Sequence, residues 1–264
     1  MKNEINKEAV LPKILKPEYE YDLIRIGQDN DGGYLVSKKS IFDSEMLLSA
    51  GIAWDFSFEK QYILLTKNII KCFDHTINTK HYFFTWFGIL LQRLLFFSNL
   101  RKIRSAFINL LNPIKFKRFI KNEKVNFFKI GLGIGDNRYM TLNDIINKFT
   151  KNEKIFLKLD IEGDEYRLIN DLLNFSNRIS GLIIEFHYVD IHLNRIIDFV
   201  KKIDLTLVHT HVNNAGPIIE KNVPTLIELT FAKNPKKVGD LKSIKHLLDQ
   251  PNLKNKEDPE LKFE

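Results

Sequence analysis

The chain of 264 residues contains one cysteine, Cys72. A single thiol cannot close an internal disulfide, so the fold draws nothing from oxidation and a reducing compartment suits it. Lying inside the apolar run "IIKCFDH", Cys72 reads as a small buried hydrophobe rather than a nucleophile. The first residues, "MKNEINKEAVLPKILKPE", lack an uninterrupted apolar stretch and carry Glu4 and Glu8, so no secretory signal is expected and the cytoplasm is the expected location. The phosphate-binding pattern G-x-G-x-x-G is missing, which removes the simplest case for a dinucleotide pyrophosphate. No basic–aromatic signature of an RNA-binding module is present, and nucleic acid is not an expected partner. No internal repeat is visible.

What is present is ordinary globular material with a basic bias: 44% hydrophobic, 28% charged, net charge +7 and a pI near 9.2. That balance favours acidic partners, although lysine is spread along the whole chain. One segment stands out. Residues 81–111, "HYFFTWFGILLQRLLFFSNLRKIRSAFINLL", are rich in Phe, Leu and Ile, with Gln92 and Arg93 in the most apolar part. Two polar groups at that position argue against a bilayer-spanning helix. Packing in the core or against a second copy is the expected role, making a homo-oligomer the expected state. Interfacial membrane contact, helped by the basic residues at 101, 102 and 104, is the less favoured alternative.

Elsewhere apolar strands alternate with helical spacing. Strands are expected at 46–52, 69–75, 125–133, 154–161, 179–187, 205–212 and 225–233, and helices at 58–68, 141–150, 164–175 and 191–203. The last two strands are joined by a segment too short for a crossover helix, which makes them an antiparallel pair. The fold class is therefore α/β: a mostly parallel, Rossmann-like sheet with helices on both faces and a C-terminal antiparallel strand. One domain spans 1–264, with an N-terminal extension at 1–18, a helical insertion at 80–124 and a polar tail at 234–264 carrying one short helix at 239–249.

In such sheets ligands bind beyond the carboxyl ends of the strands. Every unusual polar cluster falls at such an end. Gly51 opens "GIAWDFSFE", where close backbone approach and a helix N-terminus suit a ligand. Asp74 follows the next strand, where a carboxylate can accept ribose hydroxyls. Asp160 and Glu162, Glu185 and His187, and His209 and His211 are three pairs at i, i+2 on successive strand ends. Together they can hold an oxygen- and nitrogen-ligated divalent ion or build a carboxylate-oriented histidine base. A hydrogen-bonded polar layer is the bland alternative.

The glycine loop, the acid after the second strand and the final antiparallel strand resemble the class I S-adenosylmethionine-dependent methyltransferases. More narrowly, "KLDIEGDEYRLI", "IIEFH", "HTHVNN" and "PTLIELTF" resemble the FkbM-type methyltransferases, and "RIGQDNDGGYLV" a subgroup associated with bacterial surface glycans. The resemblance spans residues 19–233 and leaves out the insertion and the tail. It implies methyl transfer from S-adenosylmethionine to a hydroxyl, with a nucleotide-linked sugar of capsule or another surface polysaccharide as the expected acceptor.

Carried over by position, it puts Gly51, Asp55, Ser57 and Glu59 around the methionine part of the cofactor and Asp74 on its ribose. The loop ending at Asp136 would lie near adenine, and Asp31, Gly32, Gly33 and Tyr34 would cover the site. Asp160 would sit beside the sulfonium. His187 or His211 is the expected base, with Asp160 and Glu185 orienting it. Alternatively Asp160, Glu185 and His211 hold magnesium or manganese. A non-catalytic cofactor-binding scaffold, an RNA methyltransferase and a metal-dependent glycan-processing enzyme are the competing readings.

Overall fold

The computed structural model describes residues 8–96 and 98–264. Seven strands form the central sheet: β1 (Met46–Ala50), β2 (Ile69–Phe73), β3 (Val125–Phe128), β4 (Ile155–Leu159), β5 (Ile179–His187), β6 (Thr206–Val212) and β7 (Leu226–Ala232). Their spatial order is β6-β7-β5-β4-β1-β2-β3. β7 runs antiparallel to both β5 and β6, and the remaining neighbours are parallel. This is the mostly parallel, Rossmann-like α/β sheet with an antiparallel closing strand that the alternating pattern predicts.

β1, β4 and β5 are buried at every position. That is why they read as continuous apolar runs rather than alternating ones. Alternation instead sorts their residues between two cores. Ile155, Leu157 and Leu159 join the core under α6 (Leu142–Phe149), α7 (Ile169–Asn174) and α8 (Val189–Lys202). Phe156 joins the opposite core, beneath α1 (Lys38–Asp43), α2 (Ser57–Thr66) and α5 (Asn112–Phe119). α6 starts at a Thr141 cap whose hydroxyl accepts the Asp144 N–H at 3.1 Å.

Lys158 shares the Phe156 face and is buried with its ammonium 3.7 Å from the Glu59 carboxylate of α2, itself fully buried. Burial works against the Lys158 charge, but Glu59, Asp160 and Asp55 outweigh it and hold its pKa above the ordinary lysine value. Removing one member of such a pair strands the other charge. Lys158→Met is expected to cost about 3–5 kcal/mol in urea unfolding. Adding Glu59→Leu to it should recover much of that loss.

Two expectations fail here. The tail has no helix at 239–249. Lys237–Asp240 instead pairs antiparallel with Tyr19–Tyr21, and Glu260–Phe263 pairs parallel with Glu8–Leu11. Edge pairing with the N-terminal strands satisfies the backbone groups that a helix would otherwise pair. The second failure is core packing of the insertion. α3 (Thr79–Leu95) buries none of its residues, and α4 (Leu100–Leu110) buries only Ala106. α5 alone is anchored by several buried residues, Pro113, Phe116 and Phe119.

Candidate active site

A cleft of about 250 Å³ opens beyond the carboxyl ends of β1, β2 and β4. Gly51, Asp74 and Asp160 line it, as three of the sequence expectations require. Gly51 has φ +74°, and a Cβ there would lie 1.6 Å from the Asp160 carbonyl oxygen. Only glycine lets the two strand ends approach so closely. Asp74 is buried. Its Oδ2 accepts the Ala53 N–H at 2.8 Å, and its Oδ1 accepts the N–H and hydroxyl of Thr76 at 2.7 and 2.6 Å.

The far wall of the cleft is formed by His75, Gly131, Leu132 and Tyr139. The Tyr139 hydroxyl sits 2.9 Å from His75 Nε2. Sequence reasoning missed this pair, because nothing in the pattern shows that Gly131–Leu132 pairs with Tyr139–Met140 across a tight loop.

The crowded acids at 160–165 take different places: Asp160, Glu162 and Glu165 gather round His187, and Asp164 turns to Arg167. The strand ends at Leu159, so the i, i+2 relation expected for Asp160 and Glu162 does not carry over. Glu162 takes φ +56° and leaves an exposed carboxylate. Asp160 turns inward, where Tyr34 donates to its Oδ2 at 3.4 Å. Asp164 meets Arg167 at 3.3 Å. Glu165, in the first turn of the helix expected at 164–175, is fully buried. Its Oε1 accepts the Ile161 and Gly163 N–H groups at 3.1 and 3.2 Å and lies 3.1 Å from His187 Nδ1.

His187 therefore stands on a buried carboxylate. Its Nε2 faces Glu185 at 3.9 Å and Glu162 at 3.4 Å. Burial pulls its pKa down, but the hydrogen bond and charge of Glu165, with Asp160 and Glu162, outweigh burial and raise it. Asp160, Glu185 and His187 each offer a ligand atom, and these atoms lie within 4.8 Å of one another. Burial raises the Asp160 pKa against the pull of Lys158 and His187. Glu185 is raised further, by burial and then by Asp160, Glu228 and Asp31.

The metal set expected from sequence needs correcting at one residue. His211 does not join Asp160 and Glu185, because β7 lies between β5 and β6 and puts Glu228 opposite both Glu185 and His211. His211 Nε2 instead meets Asn252 Oδ1 at 3.2 Å, and its Nδ1 lies 3.9 Å from Asp249. It lines a separate cavity of about 420 Å³ beneath the C-terminal tail. Burial and His209 lower its pKa, against Asp249 and Asp258. Glu228, which the sequence reading left unassigned, is pushed up to about 8, mainly by burial. Asn252 Nδ2 donates to it at 2.7 Å. A lone carboxylate inside the apolar run "TLIELTF" was the available signal.

The remaining expected cofactor residues fall away from the cleft. Glu59 is turned into the core, where Ser49 donates to it at 2.5 Å beside Lys158. Ser57 opens α2 and accepts the Gln28 N–H at 2.8 Å. Asp55 Oδ1 accepts the Ser57 N–H at 2.9 Å, while its Oδ2 is buried without a hydrogen-bond partner. Asp136 lies on an exposed turn, and hydrogen bonds from Arg138 hold its carboxyl below the usual range. A side chain paired outward to its neighbour does not reach the wall.

The 27–33 loop packs against the Asp55–Ser57 segment and does not line the cleft; Tyr34, just after it, reaches Asp160. The loop joins Leu23–Ile26 to Tyr34–Ser37, and a Cβ on Gly32 would come 1.9 Å from Asp55 Oδ2. Gly33 packs against Gln28 and Arg25. Asp31 is exposed and meets Asn252 at 3.5 Å.

No protein-family model matches the chain, and no curated protein does. Solved structures share its architecture at low similarity. The METTL16 methyltransferase domain is 6% identical over 72% of this chain and 59% of its own, with a TM-score of 0.38. The fibrillarin pre-rRNA processing protein of Methanococcus jannaschii is 12% identical over 83% and 84%, with a TM-score of 0.36. Human N-acetylserotonin methyltransferase in complex with SAM is 9% identical over 74% and 49%, with a TM-score of 0.30. At these values the likeness is one of sheet architecture.

Proposed function

We propose that the chain is an S-adenosylmethionine-dependent O-methyltransferase of the FkbM type, acting in the cytoplasm on a sugar hydroxyl, with a nucleotide-linked sugar of a surface polysaccharide as acceptor. One observation carries this reading. Asp160 belongs both to the cleft bounded by Gly51 and Asp74 and to the cluster of Glu185 and His187. A nucleoside site and an acid–base site thus share a residue.

The residues of the cleft fit the cofactor. Gly51 lets the β1 and β4 ends meet at the cleft, Asp74 retains acceptor capacity for ribose hydroxyls, and the aromatic rings of His75 and Tyr139 form a wall for a base. When bound, S-adenosylmethionine supplies a methyl group already activated on a sulfonium. What the chain must add is alignment and removal of the hydroxyl proton. A Glu165 carboxylate that accepts the Nδ1–H of His187 leaves the Nε2 lone pair facing Glu162 and Glu185, with Asp160 close by. The raised His187 pKa makes that nitrogen a stronger proton acceptor once it is neutral.

The donor set also favours a second version. Two carboxylates and an imidazole backed by a carboxylate suit magnesium or manganese. Such an ion would supply Lewis acidity to the acceptor hydroxyl. On that version dialysis against EDTA abolishes turnover, and magnesium or manganese restores it. An undiminished rate leaves His187 as base without a metal.

The functional test is incubation with methyl-labelled S-adenosylmethionine and a panel of nucleotide sugars, read by mass spectrometry. Label on a sugar hydroxyl is the expected result. Absence of cofactor binding in calorimetry overturns the reading. Binding without transfer to any acceptor favours a scaffold, and label in RNA favours the RNA alternative.

A further inference from the structure

Helices α3 and α4 form a hairpin that turns its apolar residues outward. Phe84 is 69% exposed, Leu95 73%, Phe96 76% and Leu100 81%. Phe84, Phe87, Leu91 and Leu95 recur at helical spacing, so they form one stripe along α3. The charge of the segment is as one-sided as its apolarity. Between Asp74 and Glu123 the sequence holds nine lysines and arginines and no aspartate or glutamate. Arg101, Lys102 and Arg104, in the first turns of α4, are all exposed.

We propose that the α3–α4 hairpin docks on the surface of an anionic lipid bilayer, lying in the interface with its Phe and Leu side chains below the headgroups and its basic residues among them. Exposed aromatic and aliphatic residues beside Lys and Arg make the composition of an interfacial helix. Crossing is excluded on length. The 17 residues of α3 span about 25 Å, short of the ~30 Å hydrocarbon core. Among the described residues no helix is long and apolar enough to cross.

Charge decides between this surface and a second copy of the chain. An isologous contact of the hairpin would set its five positive charges, Lys80, Arg93, Arg101, Lys102 and Arg104, against the same five without one acid on the segment to offset them. Anionic headgroups neutralise them. A nucleic acid would answer the charge but not the exposed leucines and phenylalanines.

The hairpin is tied to the body beside the cleft. The Trp54 ring, in the loop after β1, lies 3.9 Å from the Tyr82 ring of α3, and Asn112 donates to the Tyr82 hydroxyl at 3.1 Å. Thr76, three residues before α3 begins, lines the cleft. Docking would hold the cleft close to the bilayer. The inference stands whether or not the chain transfers methyl groups.

The test is sedimentation of the full chain with vesicles of phosphatidylcholine alone or mixed equally with phosphatidylglycerol. Binding is expected only to the anionic vesicles, and it should weaken as salt is raised. The triple variant Arg101→Glu, Lys102→Glu, Arg104→Glu should lose affinity about tenfold or more. The double variant Leu95→Ser, Phe96→Ser should also lose it, with circular dichroism unchanged because all five positions are exposed. Equal binding to neutral vesicles, no binding to either, or unaltered binding by both variants overturns the proposal. So does a stable dimer in light scattering that Leu95→Ser, Phe96→Ser dissociates without any vesicle binding. RNA binding that survives that double variant, again without vesicle binding, also overturns it.

Discussion

His187→Ala is expected to lower turnover by about a hundredfold to ten-thousandfold, the range for loss of a positioned proton acceptor. Affinity for S-adenosylmethionine should stay within a few-fold of the unchanged protein. The separation follows from position. His187 meets Asp160, Glu162, Glu165 and Glu185, but it is not part of the cleft wall formed by Gly51, Asp74, His75 and Tyr139. Removing the imidazole should therefore leave the nucleoside contacts in place. Single-turnover kinetics with cofactor titration in parallel reads both quantities. An unchanged rate removes His187 from the reaction.

Glu165→Gln provides the finer version of the same experiment. Glu165 is fully buried and touches the reaction only through His187 Nδ1. The variant should shift the pH profile of turnover toward lower pH, since the neighbouring charge that raises the His187 pKa is gone. The same profile with only a uniform loss of rate would reduce Glu165 to a structural support for the Ile161–Gly163 turn.

Gly51→Ala is expected to abolish cofactor binding and to destabilise the fold together. The added methyl would occupy the Asp160 carbonyl oxygen at 1.6 Å, and the φ of +74° is itself unfavourable to any side chain. Backbone strain alone costs about 1–3 kcal/mol. The collision adds to it, because both partners are held. Gly51 N–H donates to the Phe73 carbonyl at 3.0 Å, and Asp160 N–H to the Ala50 carbonyl at 3.2 Å. Calorimetry with S-adenosylmethionine and thermal unfolding measure the two effects. Gly88→Ala in α3 is the control, since nothing lies within 4 Å of its added Cβ. It should be neutral or stabilise the helix by up to about 1 kcal/mol. If Gly51→Ala behaves like Gly88→Ala, the close approach of the β1 and β4 ends does not hold the site together.

The lesson of the site lies in particular residues. Asp74 and Gly51 were legible because each follows a strand whose apolar run ends on it, and such ends meet along one edge of a parallel sheet. Glu185 and His187 were legible as a pair because a strand places alternate residues on one face. His211 met the same criterion and still lies elsewhere, since alternation says nothing about which strand adjoins which. Asp55, Ser57 and Glu59 share a short stretch, but Asp55 precedes the helix that carries the other two, and Lys158 on β4 with Ser49 on β1 explains why Glu59 points inward. Glu165 looked like a helix-start acid and is a histidine support. Its burial depends on a 3-10 turn after Gly163, whose φ of +108° no local pattern requires.

The chain's own order of residues determined the α/β class, the near-parallel sheet with its antiparallel closing strand, and the location of polar groups at one edge. These follow from periodicity and segment length, which are local properties that survive any arrangement of the parts. Tertiary structure alone decided the rest. The insertion of β7 between β5 and β6 chose His187 over His211 as the partner of Asp160 and Glu185. The return of the tail to the N-terminal strands brought Asp249, Asn252 and Asp258 to His211 and Glu228. Separation along the chain carries no distance in space, and a charged side chain takes whichever counterpart the packing of distant strands brings within a few ångströms.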